Sequence, residues 1–462
     1  MANIKHTKYT HRFLARFIIE CKTPLAVGSG DKDIKTDALV ATDVNGLPFI
    51  PATSIAGVVR SMIGEEKAKL FFGKQSKDKD ENRGSEIIFT EAKILDSKGD
   101  VVDGLNVDVW QDELLKEYRE LPVRQHVRIT DYGVADAANA GKFDEQVVFA
   151  GTRFCFELEM VSDGENYLYF EDVLKQFNRK TFRLGGGTRS GFGQIEVISL
   201  QTRVLDLRKE EELSLYLDKT SKLENNWLGW TDNEKQACTE DSNWIEYKLT
   251  LQPEDFFLFS SGFGDQDADM TPVKENKVIW NGAKGHLSED LILIPATSVK
   301  GALSHRVAFH WNKLNGIFAE RLTSMDEREK VVGGNNKAVQ ILFGYEDQAN
   351  RIQQRGNLLF TDIIEENETE EKILNHVAID RFTGGAINGA LFSEKATYGK
   401  GHIYTMTIMA KNVALESEAK LKEAFESALL DICKGLLPLG GGVNRGNGVF
   451  KGTLSKNGEV IS

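Results

Sequence analysis

The sequence predicts an α+β protein made of two tandem copies of one module. The first observation is a direct repeat, because the stretch LPFIPATSIAG that starts at Leu47 returns as LIPATSVKG from Leu293. The second is that further landmarks recur in the same order and at similar spacing, among them His126 with His376 and Gly185 with Gly440. The third is that β-branched and aromatic segments bracket segments of helical periodicity in both halves.

Length and composition are consistent with two cores. A chain of 462 residues with 41% hydrophobic side chains can bury more than one hydrophobic core. The repeat divides it into a first module at 1–204, an acidic connecting segment at 205–244 and a second module at 245–462. Tryptophan is uncommon in free linkers, so Trp227 and Trp230 indicate that the connecting segment is ordered.

The charge pattern bears on possible partners. The formal net charge is −13, which argues against a protein that coats nucleic acid uniformly. Acidic residues concentrate at 209–222, 231–241 and 365–371, whereas Lys and Arg recur beside the repeated motifs. This distribution allows a basic groove within an acidic surface.

Other function classes are disfavoured by what the sequence lacks. There is no apolar run of membrane-spanning length and the first residues are polar and basic, so we expect no signal peptide, no membrane partner and a cytoplasmic location. The cysteines, Cys21, Cys155, Cys238 and Cys433, lie far apart, which predicts neither disulfides nor a fixed structural metal site.

The elements of the first module follow from pattern and turn chemistry. A strand is predicted at 12–23 and a polar loop at 24–43, followed by a helix that Thr53 and Ser54 would cap. Its apolar stripe has the spacing of one helix face and contains Ile55, Val58, Val59, Met62 and Ile63. Further strands are predicted at 86–90, 152–160 and 194–200.

The second module repeats this order. A strand is predicted at 246–251, a polar loop at 260–273 and a helix that starts at Ser298, in which Arg306 interrupts the apolar stripe. Strands that bracket helices with long gaps predict a mostly antiparallel sheet with helices on one face. Each module therefore resembles a ferredoxin-like (RRM-like) unit with insertions.

Two repeated features are candidates for binding phosphate. The first helix turn combines free amides with Ser54 or Ser298 and, in the second module, with the Lys300 ammonium. The second feature is a glycine loop, GGGTRSGFG from Gly185 and GGGVNRGNG from Gly440, in which glycines let a ligand approach several amides. A plain helix start and a plain tight turn are the alternatives, and neither loop has the Gly-Lys-Ser/Thr of a Walker motif.

The ordered set of motifs resembles a known family. A polar loop with Asp, then IPATS, then HVAIDRFTG from His376, then the glycine loop, is similar to the RAMP superfamily of CRISPR-associated proteins. It is most similar to the backbone subunits of type III effector complexes, and two fused copies resemble the double-backbone subunit of the type III-D branch. The resemblance implies half-palm modules with thumb-like insertions that assemble with other subunits along a guide RNA.

The resemblance also implies target-RNA cleavage and where it occurs. The nuclease residue of the family lies in the polar loop, which matches Asp37 in the first module and Asp269, or as second choice Asp267, in the second. The implied chemistry is metal-dependent attack of the 2′-hydroxyl, with a divalent cation such as Mg²⁺. The expected RNA contacts are the repeated motif residues Ser54, Arg60, His126, Arg128, Gly185, Gly186, Gly187, Arg189, Ser298, Lys300, His376, Arg381, Gly440, Gly441, Gly442, Asn444 and Arg445.

The chain departs from the family pattern in the first module. Ala56 stands where the family commonly has lysine, and Ile129-Thr130-Asp131 replaces the Ile-Asp-Arg that the second module keeps at 379–381. Two rival functions follow: a scaffold without catalysis, and a guide-processing endonuclease, for which His6 or His11 would be the catalytic histidine. Arms near 131–149 and 384–401 are expected to project across nucleic acid.

Overall fold

Each half of the chain is built around one antiparallel sheet. In the computed structural model, the described residues are 9–33, 36–74, 82–130, 133–136, 141–223, 227–234, 241–347, 351–367 and 369–461. The first half contains β1 (His11–Cys21), α1 (Ala52–Met62), α2 (Glu65–Phe71), β2 (Ile87–Phe89), β3 (Lys93–Ile94), β4 (Val123–Val127), β5 (Lys142–Gln146), β6 (Arg153–Ser162), α3 (Tyr167–Gln176) and β7 (Ile195–Asp206). The connecting segment contributes α4 (Glu210–Leu217) and β8 (Thr231–Asp232).

The second half repeats the plan with longer insertions. Its strands are β9 (Trp244–Pro253), β10 (Phe256–Phe257), β11 (Lys274–Glu275), β12 (Val278–Asn281), β13 (Lys284–Leu287), β14 (Leu291–Ile294), β15 (Gly344–Asp347), β16 (Ile352–Arg355), β17 (Leu358–Leu359), β18 (Ile363–Ile364), β19 (Glu370–Ile379), β20 (Ala386–Tyr398), β21 (Tyr404–Lys411), β22 (Phe450–Lys456) and β23 (Glu459–Val460). Its helices are α5 (Ala296–Leu314), α6 (Met325–Glu329), α7 (Lys337–Phe343), α8 (Asn412–Leu415) and α9 (Leu421–Cys433).

The strand order is the same in both sheets. The first reads β2-β6-β1-β7-β8 and the second β17-β21-β9-β22-β23, with antiparallel pairing throughout. In each, the first strand lies between the third and fourth of a strand-helix-strand-strand-helix-strand unit, which is the ferredoxin-like order. The predicted α+β class with two ferredoxin-like modules is therefore confirmed.

Aromatic side chains fill the first core and the connecting segment covers its outer face. Phe17 stacks on Phe156 with ring centroids 4.9 Å apart. On the opposite face of β1, the buried Arg16 binds Glu157 at 3.2 Å and donates to the Leu223 carbonyl at 3.1 Å. Since Leu223 lies between α4 and β8, the acidic segment packs on the sheet and, through β8, extends its edge.

The helix starts differ from the sequence prediction. Both helices begin at alanine, α1 at Ala52 and α5 at Ala296, directly after proline, and no side-chain hydroxyl caps either. The predicted cap by Thr53 and Ser54, and the predicted start at Ser298, are wrong. In α5 the Asp362 carboxylate accepts the first amide at 2.7 Å, so a residue far along the chain supplies the oxygen that a local cap would supply.

The interruption of the α5 stripe also has a tertiary cause. Arg306 and His310 both bind Asp431 on α9, His310 at 2.7 Å. The two helices pack against each other, and the ion pair links them. An apolar residue at 306 would leave Asp431 half-satisfied in a mostly buried position.

Each module carries a hairpin outside its main sheet. In the first module β4 pairs with β5, and in the second β19 pairs with β20 over a longer span. The distal part of β19 and β20 is exposed, and Phe382 at its turn is 98% exposed. Of the arm predicted at 131–149, residues 131–132 and 137–140 lie outside the described residues.

The two modules are in direct contact. Arg124 of β4 is buried against Glu275, with Nη2 at 2.7 Å from Oε2, and against Asp362, with Nη1 at 2.6 Å from Oδ2. Val278 of the second module belongs to the core of the first, and Trp280 Nε1 donates to the Gly151 carbonyl at 2.7 Å. The β12–β13 hairpin thus fixes one module on the other.

Candidate functional site

The loop aspartates occupy the same place in both modules. In the first, the Asp144 amide donates to Asp37 Oδ2 at 3.0 Å, and the Asp37 amide donates to the Asp144 carbonyl at 3.1 Å. In the second, the Ser393 amide donates to Asp269 Oδ2 at 2.7 Å, and Ser393 Oγ donates to the same oxygen at 3.0 Å. Asp269 is therefore the structural counterpart of Asp37.

Asp267 has a different position. Its amide donates to Asp265 Oδ1 at 2.8 Å and its Oδ2 lies 3.8 Å from Lys395 Nζ. Lys395 also binds Asp265, and the ammonium together with the amides of Asp267 and Ala268 lowers the pKa of Asp265 to about 2. Asp267 thus belongs to a turn that Asp265 holds. It lies two residues before Asp269, the position equivalent to Asp37.

Hydrogen bonding keeps Asp269 ionised. The Ser393 amide and hydroxyl lower the pKa of Asp269 below its ordinary value, because both bonds favour the carboxylate. Both bonds go to Oδ2. In Asp269 and in Asp37 alike, the other oxygen, Oδ1, accepts no hydrogen bond from any described residue. Both side chains are exposed. Each site thus presents one fixed and one available carboxylate oxygen.

The repeated histidines lie on the partner strand of each hairpin, His126 on β4 and His376 on β19. His126 stacks on Phe143 with centroids 4.6 Å apart, and its Nε2 lies 2.9 Å from Glu145. His376 stacks on Phe392 at 4.8 Å, and its Nε2 lies 3.2 Å from Glu394. Because Glu145 and Glu394 directly follow the residues that bind the loop aspartates, each histidine braces the strand that positions the aspartate.

The glycine loops are packed against their own modules. The Gly186 amide donates to the Ala26 carbonyl at 2.6 Å, and the Gly441 amide donates to the Leu258 carbonyl at 2.7 Å. A Cβ on Gly185 or Gly440 would lie 2.4 or 2.5 Å from the same carbonyl oxygens, at positive φ. The first glycine of each loop is therefore required for packing, and the second amide is used within the fold. Gly187 and Gly442 also have positive φ.

The arginines of the two loops have different partners. Arg445 binds Glu394, which is fully buried and also accepts from Asn447 at 3.0 Å. Counted from the glycines, Ser190 and Phe192 stand in the first module where Arg445 and Asn447 stand in the second. Arg189 corresponds instead to Asn444, which is exposed, and it reaches across to the second module.

Basic side chains gather where the first glycine loop meets the second module. Arg189 Nε donates to the Gly356 carbonyl at 2.9 Å, and Lys300 Nζ lies 3.4 Å from Ser190 Oγ. Burial and the Arg355 charge lower the pKa of Arg189 to about 10, and burial and Arg189 lower the pKa of Lys300. The sequence had singled out Arg189 and Lys300 but not Arg355, because Arg355 lies in no repeated motif.

The remaining predicted residues are more dispersed. Arg60 donates to the Phe72 and Gly73 carbonyls at the end of α2. Arg128 is exposed, 3.8 Å from Asp136, and Arg381 is exposed in the β19–β20 turn. Ser298 is exposed and Ser54 half-buried in the first helix turns.

Other sequence expectations concern groups away from these sites. His11 lies in β1 with Nε2 3.8 Å from Asp206, and His6 is outside the described residues. Cys21, Cys155 and Cys433 are buried free thiols, and burial raises the pKa of Cys433 to about 11. Cys238 is also outside the described residues. Within the described part of the chain, no cluster of three or more His, Cys, Asp or Glu could hold a metal ion. No described helix is both long and apolar enough to cross a membrane.

Comparison with known proteins agrees with the duplication. A family model described as the RAMP superfamily matches residues 18–196 and again residues 255–451, which together are most of the chain. No curated protein matches the chain. Each matched region covers most of one module and contains its loop aspartate and its glycine loop. The chain therefore belongs to the RAMP superfamily of CRISPR-associated, RNA-binding proteins, with two superfamily modules in tandem.

Proposed function

We propose that the chain is a guide-RNA-binding backbone subunit of a type III effector complex, most like the type III-D branch, that cleaves complementary target RNA. The observation that carries this proposal is the equivalent setting of Asp37 and Asp269. Each carboxylate is held by the amide of a hairpin strand and keeps one exposed oxygen. Two such sites on one chain predict two cuts at a fixed separation on the target.

The proposed reaction uses the nucleophile that RNA itself carries. The 2′-oxygen gives up its proton to solvent water and attacks the adjacent phosphorus. The bond to the 5′-oxygen breaks, that oxygen takes up a proton from water, and the products are a 2′,3′-cyclic phosphate and a 5′-hydroxyl. A carboxylate of depressed pKa, such as Asp269, is a weak base at neutral pH. Asp269 is therefore better suited to orient a ligand than to remove the proton.

A divalent cation fits this donor set. Mg²⁺ in proteins is usually held by one or two carboxylates together with waters and substrate phosphates, so one exposed oxygen for each site is sufficient. When bound, the cation would supply charge stabilisation to the phosphorane and a lowered pKa for a coordinated oxygen. Asp37 and Asp269 would hold it, and the Asp144 and Ser393 amides would fix the carboxylates.

Removal of either carboxylate tests the proposal. In the assembled complex with labelled complementary RNA and Mg²⁺, Asp37→Ala should abolish one cleavage product and Asp269→Ala another. The expected loss is roughly a hundredfold to ten-thousandfold in rate. RNA binding should be retained, because a carboxylate repels the phosphate backbone. Asp267→Ala is the matched control, since it changes the same loop but not the counterpart of Asp37.

The rival functions predict other results. If Asp37→Ala leaves every product on the gel, the first module is a scaffold, and the same holds for Asp269 and the second module. A guide-processing endonuclease would instead shorten a labelled guide precursor in the absence of target, and that activity would depend on a histidine such as His11. Intact precursor with cleaved target would exclude this rival.

A further inference from the structure

Four basic side chains converge at the junction of the two modules. Arg189 Nη1 and Arg355 Nη2 both donate to Thr188 Oγ1, at 3.4 and 3.0 Å, so their guanidinium groups flank one oxygen atom. Lys300 Nζ lies 3.4 Å from Ser190 Oγ, next to Arg189. The Lys411 amide donates to the Asn357 carbonyl at 3.0 Å, next to Gly356, which binds Arg189. The Lys411 ammonium lies over the Trp244 ring, 5.6 Å from its centroid, within reach of the Arg189 and Arg355 charges. We call these four residues the junction cluster.

The described carboxylates stay beyond ion-pair distance of the junction cluster. Among the described residues, Arg189, Lys300, Arg355 and Lys411 form no ion pair with Asp or Glu. Asp241 acts on Lys411 from beyond ion-pair distance and is itself paired with Arg179 at 3.4 Å. Burial lowers the pKa of Lys411, and the charges of Arg189 and Arg355 lower it further. Positive charges in this arrangement repel one another unless an anion lies among them.

The cluster is a property of the tandem arrangement. Thr188 and Arg189 come from the first glycine loop, whereas Lys300, Arg355 and Lys411 come from α5, β16 and β21 of the second module. The second glycine loop offers no equivalent, because Asn444 stands at the Arg189 position and Arg445 is neutralised by buried Glu394. The second module by itself supplies three of the four charges, and the complete cluster requires Arg189 from the first module.

We propose that the junction cluster binds a phosphodiester group of a single RNA strand that passes from the first module to the second. Arginine presents planar paired donors that match phosphate oxygens, and two arginines from the two modules here direct donors at one hydroxyl. The identity of the anion as RNA rests on the proposed function. A free phosphate or polyphosphate offers the same kind of anionic oxygen as an RNA phosphodiester. The experiment therefore distinguishes these two sources of the anion.

The test measures RNA binding by charge-neutral variants of residues outside the cleavage sites. A fluorescent single-stranded RNA is titrated with the full chain at several salt concentrations, using Arg355→Gln and Lys411→Gln. Each variant should bind roughly tenfold more weakly, as expected for a lost charge-assisted contact. Each should also lose about 0.7 from the salt slope, the value for one phosphate on a single strand.

Lys313→Gln is the matched control. Lys313 is an exposed lysine in the last turn of α5, about 20 Å along the helix from Lys300 at 1.5 Å per residue. The substitution Lys313→Gln removes one positive charge without touching the junction cluster. The RNA affinity of this variant should therefore stay within twofold of that of the parent. Equal weakening by Lys313→Gln would mean that the general field of the protein, and not a site, holds the RNA, and the proposal would be overturned.

A second measurement excludes a purely structural role. Without added anion, the melting temperature of Arg355→Gln should equal or exceed that of the parent, because one repulsive charge is gone. A lower value would indicate that Arg355 supports the fold instead. Tripolyphosphate should raise the melting temperature of the parent more than that of the variant.

The outcomes distinguish this inference from the proposed function. Parental RNA affinity in both variants overturns the junction site and leaves the proposed function standing. A parent chain that binds no RNA contradicts the proposed function. If tripolyphosphate still stabilises that parent but not Arg355→Gln, the cluster binds a free polyphosphate and its assignment to RNA is overturned.

Discussion

At the scale of residues, the two loop aspartates share a backbone setting but not a neighbour. Asp37 faces Asp144, whereas Asp269 faces Ser393, whose hydroxyl adds a second bond to Oδ2. The serine lowers the pKa of Asp269, and a neighbouring carboxylate cannot donate such a bond when ionised. The two sites are therefore expected to differ in rate and in pH dependence.

Ser393→Ala tests that difference. The substitution removes one hydrogen bond to Asp269 and should raise its pKa towards the ordinary value, so activity at the second site should fall as pH is lowered. At neutral pH the rate of that cut should drop about fivefold, which corresponds to about 1 kcal/mol for one hydrogen bond. Gel quantification of each product across pH provides the measurement.

The first cut serves as an internal reference in the same lane. Ser304→Ala is a suitable control variant, since its hydroxyl donates only to the Gly301 carbonyl within α5. A parallel fall in both cuts would contradict a local role for Ser393.

At the scale of elements, each glycine loop packs against the segment that leaves the first strand of its module. The Gly193 amide donates to the Pro24 carbonyl at 2.9 Å, and the Gly448 amide donates to the Phe256 carbonyl at 2.8 Å. A Cβ on either would lie 2.0 Å from a backbone carbonyl oxygen, of Leu184 or Leu439. The loop sequence is therefore explained by close backbone packing before any ligand is considered.

Gly448→Ala and Gly446→Ala form a matched pair of variants that tests the close backbone packing of the glycine loop. Both glycines have positive φ, 77° and 99°, so alanine at either carries about 1–2 kcal/mol of backbone strain. Only Gly448 also has a carbonyl in the way, which should add about 1–3 kcal/mol. Chemical denaturation of the two variants gives the difference in unfolding free energy. Equal values would show that the packing contact carries no cost.

At the scale of the whole molecule, a buried ion network fixes the relative position of the modules. Arg124 comes from the first module, and Glu275 and Asp362 from the second. Burial lowers the pKa of Arg124, but the charges of Asp362 and Glu275 outweigh it and hold the pKa above the ordinary value. Asp362 Oδ1 also accepts the first amide of α5, so the network links the module junction to the helix that carries Lys300.

Arg124→Met should uncouple the modules. It leaves two buried carboxylates without a cationic partner, and breaking a buried pair in this way typically costs about 3–5 kcal/mol. We expect a lower melting temperature and, in small-angle scattering, a larger radius of gyration. Arg128→Met, at an exposed position of the same hairpin, should leave both values unchanged. A parental radius with Arg124→Met would show that the β12–β13 hairpin suffices to hold the modules together.

Much of the architecture could be predicted from the sequence because it is encoded locally. Strand and helix periodicity, proline before the helices and the repeated motifs are properties of neighbouring residues, and they gave the ferredoxin-like class and the duplication. The loop aspartates were assigned from the family resemblance and not from spacing, because Asp37 lies much closer to Pro51 than Asp269 lies to Pro295. The Thr-Ser caps failed because Asp362, distant in sequence, supplies the oxygen at α5.

Only the tertiary structure decided which residues meet. The choice of Asp269 over Asp267 as the counterpart of Asp37 depends on pairing with β20, which lies more than a hundred residues later. The different fates of Arg189 and Arg445 depend on the module junction and on the buried Glu394. Such contacts join segments that no local pattern relates, because the free energy of packing and of burying charge is set by the assembled fold and not by chain neighbours.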